Sequence, residues 1–201
     1  MVGLRERKKQ RTRRALIEAA LRLFEEKGFE ETTLAEIAAA ADVSTRTFFS
    51  YFAAKEDVLF YDTGSRIELA MSLLAGRAPE ESPADVLIKL IDGSLQMAAA
   101  YEELTFEDAE LRMRLILTEP ALQAKGLLVL FDTQLQLARA LHDAYPDRLS
   151  PTEAAAAVGA LVGAVKLAII ANLDNCRSLQ EIWDTGRRAA EVTLAGLRSL
   201  G

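Results

Sequence analysis

The chain has 201 residues, half of them apolar, with one cysteine, one histidine and a formal net charge of −6. That apolar share is ample for a hydrophobic core and argues against disorder, while the lone Cys176 excludes an internal disulfide or a cysteine-rich zinc site. With His142 as the only histidine, no Gly-rich phosphate loop after a strand and no nucleophile–histidine pair, the chain is not expected to be an enzyme or to carry a metal or cofactor.

The basic start comes first. Arg5, Arg7, Lys8, Lys9, Arg11, Arg13 and Arg14 stand against Glu6 alone. Residues 1–60 hold 11 Lys and Arg against 10 Asp and Glu, a balance of +1, whereas residues 61–201 hold 13 against 20, a balance of −7. Affinity for DNA follows the local charge that faces phosphates, so the acidic total does not exclude a nucleic-acid partner. Residues 1–11 read as a basic arm aimed at phosphates or a minor groove. No apolar run follows them, so no secretory signal is visible and a reduced, cytoplasmic setting is expected, with no membrane partner.

A first helix is expected from Thr12 to Lys27, because Leu16, Ala19, Ala20, Leu23 and Phe24 fall on one face. Gly28 ends it as a left-handed cap. From Thr32 to Leu59 the chain reads as two short helices joined by a tight turn, then the start of another. Thr33 and Glu36 form a capping box, and Leu34, Ile37, Ala38 and Ala41 share a face. Asp42 tolerates the left-handed backbone of a sharp turn, and Ser44 caps the next helix. In that helix Phe48 and Phe52 point inward together. Thr45, Arg46, Phe49 and Ser50 are left outside, as on a short helix that enters a major groove. Arg46 is the best candidate base reader, bidentate to a guanine; Thr45 and Ser50 are candidates for bases or phosphates.

A fourth helix is expected from about Lys55 to Ala75, marked by Val58, Leu59, Ile67, Leu69, Leu73 and Leu74. Lys55 near its start opposes the helix dipole, a cost easier to understand beside a phosphate. Residues 76–82 form the candidate linker. Ser82-Pro83 with Asp85 starts a helix that runs to about Tyr101. Thr105 with Asp108 starts another ending near Thr118, and Glu119-Pro120 one that reaches about Ala144. Ser150-Pro151 with Glu153 and Ser178 with Glu181 begin the last two. Acidic pairs such as Glu102-Glu103 and Glu107-Asp108 read as solvated helix faces. No strand-length alternation occurs, so the fold class is all-α, with about nine helices.

The run from Ala154 to Val165 is apolar or glycine, then meets Lys166. A membrane span needs about 20 apolar residues, so this run is too short. Ala155, Ala156, Gly159, Ala160 and Gly163 instead form a small-residue face that lets another helix come close. The last helix offers Leu179, Ile182, Trp183, Gly186, Ala190 and Leu197 on one stripe. Two such helices paired with their copies across a two-fold axis would make a four-helix bundle, hence a homodimer; the alternative is that both faces are buried inside one subunit.

At the turn the chain resembles the tetracycline-repressor (TetR) family of bacterial regulators. The matching residues are Thr32-Thr33, Val43-Ser44, Phe48-Phe49-Ser50-Tyr51-Phe52 and Lys55-Glu56. With the helix before them they cover about the first quarter of the chain; beyond that, only length and helical layout correspond. Two residues depart from the pattern, Asp42 where glycine is usual and Phe49 where tyrosine is usual. The resemblance implies an N-terminal three-helix helix-turn-helix DNA-binding domain, residues 1–54, and a C-terminal helical ligand-binding and dimerisation domain, residues 55–201. By match to the motif, Thr33, Ser44, Thr47, Tyr51 and Lys55 are implied phosphate contacts, Tyr51 having a competing role in the aromatic cluster. It also implies dimerisation through the last two helices.

The function so implied is a ligand-responsive regulator, most simply a repressor, that binds a palindromic double-stranded operator as a homodimer. Met71, Leu74, Ile91, Leu95, Met97, Met113, Ile116, Leu117, Leu127 and Phe131 would line a cavity for an apolar small-molecule effector, although such a stripe also suits a plain core. The alternative is a helical carrier or sensor of apolar molecules that lacks DNA binding, with Phe49 as its support.

Overall fold

The computed structural model describes residues 4–100 and 105–197, and the side chains of residues 5, 7–94 and 105–196. Among these are nine α-helices and no strand. The chain divides into two compact units: residues up to Tyr61 with Glu110–Gly126, and Asp62–Ala109 with Leu127 onward. The division thus falls after Tyr61 rather than after Ala54, and it recruits a distant segment to the first unit.

In the first unit, α1 spans Leu4–Lys27, α2 Leu34–Ala40 and α3 Thr45–Phe48. A 3-10 segment, Lys55–Phe60, follows. Helix α1 begins eight residues earlier than the apolar periodicity suggested, so Arg5–Arg11 form a helical turn and more, not an extended arm. Lys, Arg and Gln are good helix formers, and continuing a nucleated helix costs little per residue. Its apolar face, Leu16, Ile17, Ala20, Leu21 and Phe24, is buried, as are Ile37, Phe48, Phe52, Val58 and Leu59 of the segments that follow. Gly28 adopts φ +88°, the left-handed cap expected of it. The segment after Lys55 is not one helix to Ala75. Asp57 Oδ2 accepts the Ala54 N–H at 2.9 Å, the 3-10 segment closes at Phe60, and α4 starts anew at Thr63.

Residues 110–126 carry the end of α6 (Phe106–Thr118) and the start of α7 (Pro120–Ala144). Within the first unit they grip the 3-10 segment. Arg112 donates to Leu59 O at 2.5 Å and lies 4.7 Å from the Tyr61 ring centroid. Lys125 pairs with Asp57 at 2.9 Å. A Cβ at Gly126 would stand 3.6 Å from the Phe60 ring, ordinary contact distance.

The second unit holds α4 (Thr63–Ala75), α5 (Pro83–Ala100), most of α7, α8 (Pro151–Asn172) and α9 (Leu179–Leu197). Its core gathers Leu74, Val86, Leu87, Leu90, Leu141, Tyr145, Val158, Leu161 and Leu194. Apart from α4, the capped helix starts are those the sequence marked. Ser82 Oγ accepts the Asp85 N–H at 3.2 Å, Thr105 Oγ1 the Asp108 N–H at 3.1 Å, Ser150 Oγ the Glu153 N–H at 3.3 Å and Ser178 Oγ the Glu181 N–H at 3.2 Å.

Helices α8 and α9 form the most extensive pair in the fold. Gly186 and Ala190 are buried in that pairing: a Cβ on Gly186 would meet Ile169 Cδ1 at 3.3 Å and Val165 Cγ1 at 3.5 Å. The expectation that these two residues face a second subunit is therefore corrected, because a small residue here lets α9 approach its own α8. Ile182 and Trp183 are half-buried. Ala156, Ala160 and Gly163 are exposed and Gly159 is half-buried, with open space where a Cβ on either glycine would lie. The side chain of Leu197 lies outside the described residues.

Pro151–Asn175 is, by length and composition, long and apolar enough to cross a membrane, with mean hydropathy 2.2 over its most apolar window. The reading of this run as too short is thus corrected. Its apolar residues are chiefly Ala, with Val, Leu and Ile.

Candidate nucleic-acid interface

The helix-turn-helix is built by local capping. Thr33 Oγ1 accepts the Glu36 N–H at 3.3 Å, and Glu36 Oε2 accepts the Thr33 N–H at 2.9 Å. Lys27 pairs with the same carboxylate. The Lys27 ammonium first, then the Thr33 hydroxyl and N–H, lower the Glu36 pKa from 4.5 to about 2. This joins the last turn of α1 to the first turn of α2.

At the turn Asp42 adopts φ +53°, so an aspartate does here what glycine usually does. Val43 N–H then donates to Ala38 O at 2.9 Å, closing the corner. Ser44 caps α3, accepting the Thr47 N–H at 3.1 Å. α3 itself is one turn long. Its winding tightens through Ser50 N–H to Thr47 O at 3.0 Å and Tyr51 N–H to Phe48 O at 2.9 Å. Phe48 and Phe52 are buried, with ring centroids 5.6 Å apart, so they anchor the inner face. Thr45, Arg46, Phe49 and Ser50 are exposed on the outer side.

The phosphate contacts implied by the family motif separate into two kinds. Tyr51 and Thr47 line an open concavity of about 1530 Å³ whose other walls include Arg5, Arg7, Lys8, Lys9 and Arg11. Among the described residues, five cations and one anion, Asp42, line this surface, which suits a phosphodiester strand. Sequence reasoning set the basic residues apart as an arm; their helical phase relative to Thr12 and Ala15 was the signal that tied them to α3.

Lys55 is different. Its ammonium donates to Phe29 O at 2.8 Å and to Glu30 O and Thr32 O at 3.2 Å, and lies 4.3 Å from the Phe29 ring centroid. Three donors meet three carbonyls, so Lys55 is a staple of the α1–α2 loop rather than a cation held out for phosphate. Thr32, fully buried, works beside it, donating to Gly28 O at 2.8 Å. Thr33 and Ser44 are exposed, but their hydroxyls serve the helix caps.

The residues expected to line an effector cavity fall in both units. Met113, Ile116 and Leu117 belong to the first unit and the remainder to the second. Leu74 is in the second unit's core, and Met71 and Ile91 are half-buried. Leu117, Leu127 and Phe131 are exposed, the last to 66%, which corrects their reading as enclosed lining. The side chains of Leu95 and Met97, and the pair Glu102-Glu103, lie outside the described residues. Among the described residues, no group of three or more His, Cys, Asp and Glu converges as metal ligands. Cys176 is buried.

A capped two-helix corner with an anchored inner face and a cationic flank defines a helix-turn-helix protein. Residues 16–61 match the model for bacterial regulatory proteins of the tetR family, and residues 86–192 match the MftR C-terminal domain. The chain belongs to the TetR family. The HTH-type transcriptional regulator TcmR of Streptomyces glaucescens is 34% identical over 152 residues, 68% of this chain; the chain covers 62% of that relative's length. A TetR-family regulator structure from Syntrophomonas wolfei superposes with TM-score 0.64 at 17% identity, covering 94% of this chain and 97% of the other. The TetR-family repressor FadR of Thermus thermophilus, in complex with lauroyl-CoA, gives TM-score 0.51 at 26% identity over 89% and 92% of the two chains. These relatives are transcriptional regulators, not enzymes.

Proposed function

We propose that the chain is a ligand-responsive transcriptional repressor that binds a palindromic operator as a homodimer, in the bacterial cytoplasm at the nucleoid. The observation that carries this reading is the first unit's outward surface: Thr45, Arg46 and Phe49 on an anchored α3, flanked by the helical cations Arg5–Arg11. Arg46 reads a guanine; Tyr51, Thr47 and the α1 cations hold phosphates. The remaining outward groups, Thr33, Ser44 and Ser50, lie on the same segment. The second unit takes the ligand and forms the dimer. An effector with an apolar chain is supported by the lauroyl-CoA bound to the Thermus relative, and by the half-buried Met71 and Ile91. Ligand and operator weaken one another by one shared coupling free energy, about 1–3 kcal/mol in such systems.

A gel-shift titration with the DNA upstream of the chain's own gene tests the reading. One sequence-specific complex is expected, weakening steeply with salt. Lys8→Ala with Lys9→Ala should flatten the log–log slope by about 0.9 for each phosphate no longer neutralised, while Arg46→Ala should relax base preference at one position per half-site, by about 1–3 kcal/mol. Binding that is indifferent to sequence in the parent protein would remove the operator from this account.

A further inference from the structure

Among the described residues up to Tyr61, Phe49 is the one large apolar side chain that stands exposed, at 58%. It is held in that position. As C-cap of α3 it donates its N–H to Thr45 O at 3.1 Å. Its ring meets the buried Phe48 ring nearly edge-on, centroids 6.0 Å apart and planes at 87°. An edge-to-face pair restricts the ring's orientation, so the phenyl group is presented beside Thr45 and Arg46.

The hydroxyls around it make local bonds. Ser50 Oγ donates to Thr47 O at 2.6 Å. Ser44 Oγ and Thr47 Oγ1 share a bond of 2.9 Å. A phenyl ring offers DNA neither donor nor acceptor. On the base edges of the major groove the apolar group available to it is the C5 methyl of thymine.

We propose that Phe49 is a specificity-determining residue that reads a thymine methyl in each half-site. This rests on the operator reading above and adds a base preference to it. A sugar contact would use the same ring but would be blind to the base, so the methyl itself is the discriminating group.

The test uses the full chain and a duplex that it selects from a random library. Each thymine of the duplex is replaced in turn by deoxyuridine, which removes one methyl and keeps the pairing. Burial of one such carbon corresponds to about 0.8 kcal/mol, hence about a fourfold loss at one thymine and about 15-fold when the two symmetry-related thymines are changed together. Phe49→Ala should bind the thymine and uracil duplexes equally. Phe49→Leu should keep part of the preference, because it keeps an apolar tip.

Parent protein that binds every uracil duplex as tightly as its thymine counterpart overturns the proposal without any variant being needed. Equal sensitivity in parent and Phe49→Ala overturns the assignment to this residue while leaving the operator reading intact. Selection that yields no preferred duplex at all overturns the operator reading, and this inference with it.

Discussion

At the scale of single residues, the helix-turn-helix is held by short-range groups whose chemistry can be titrated. Glu36 accepts from Thr33 and from Lys27, and its carboxyl is lowered to a pKa of about 2. A carboxyl depressed in the folded state contributes stability in full above its unfolded pKa, near 4.5, and loses it as pH falls through the folded value. Glu36→Gln should therefore melt below the parent protein at pH 6. The gap should narrow below about pH 4.5 and close near pH 2, in thermal unfolding scans at matched ionic strength. A gap that is constant with pH would mean that the carboxylate's charge is idle and only the cap geometry counts. Asp42 makes a related point about residue identity. Its φ of +53° shows that the turn requires a backbone state, not a glycine, and aspartate reaches that state at modest cost.

At the scale of elements, the sequence reveals what is encoded three or four residues apart. Thr33–Glu36, Ser44–Thr47, Ser82–Asp85 and Ser150–Glu153 are caps whose two halves sit within one helical turn, so each helix start was legible. Lys55 was not, because its three carbonyl partners lie 23 to 26 residues back along the chain. The recruitment of residues 110–126 to the first unit was hidden for the same reason. Arg112 finds Leu59 O across 53 residues, and nothing local marks it. The break between Phe60 and Thr63 abuts a polar run, Asp62-Thr63-Gly64-Ser65-Arg66, so a helix boundary was legible there. This recruited corner leads to a prediction. Arg112→Met keeps the stem but removes the donor, leaving the part-buried Leu59 carbonyl short of a charged partner. Hydrogen exchange at the amides of residues 55–61 should accelerate roughly 5- to 150-fold, equivalent to about 1–3 kcal/mol of local stability. Amides of α8 and α9 should keep their protection. Faster exchange throughout both units would instead place Arg112 in global stability.

At the scale of the whole molecule, the small residues of α8 and α9 divide into a buried set and an exposed set, a division that periodicity alone does not mark. Gly186 and Ala190 let α9 settle on its own α8, whereas Ala156, Ala160, Gly163 and the neighbouring Leu167, at 68%, remain exposed in the single chain. A face of that kind is what a two-fold helix pairing would cover. Gly163→Glu separates the roles. A Cβ at Gly163 meets nothing within 4 Å, so one subunit accommodates the new side chain. Glutamate is also a better helix former than glycine by roughly 0.5–1 kcal/mol, so α8 should not fray. Across a close helix pair, by contrast, the same carboxylate would be buried against its own copy, a desolvated like-charge contact. Sedimentation should then show a species of 22.0 kDa where the parent runs at twice that mass, with unchanged far-UV helicity. The palindromic operator should be bound far more weakly, since each half-site would be engaged alone. A variant that stays dimeric and keeps its operator affinity would move the subunit contact off this face, and the exposed stripe Leu128, Phe131 and Leu135 of α7 would be the next surface to substitute.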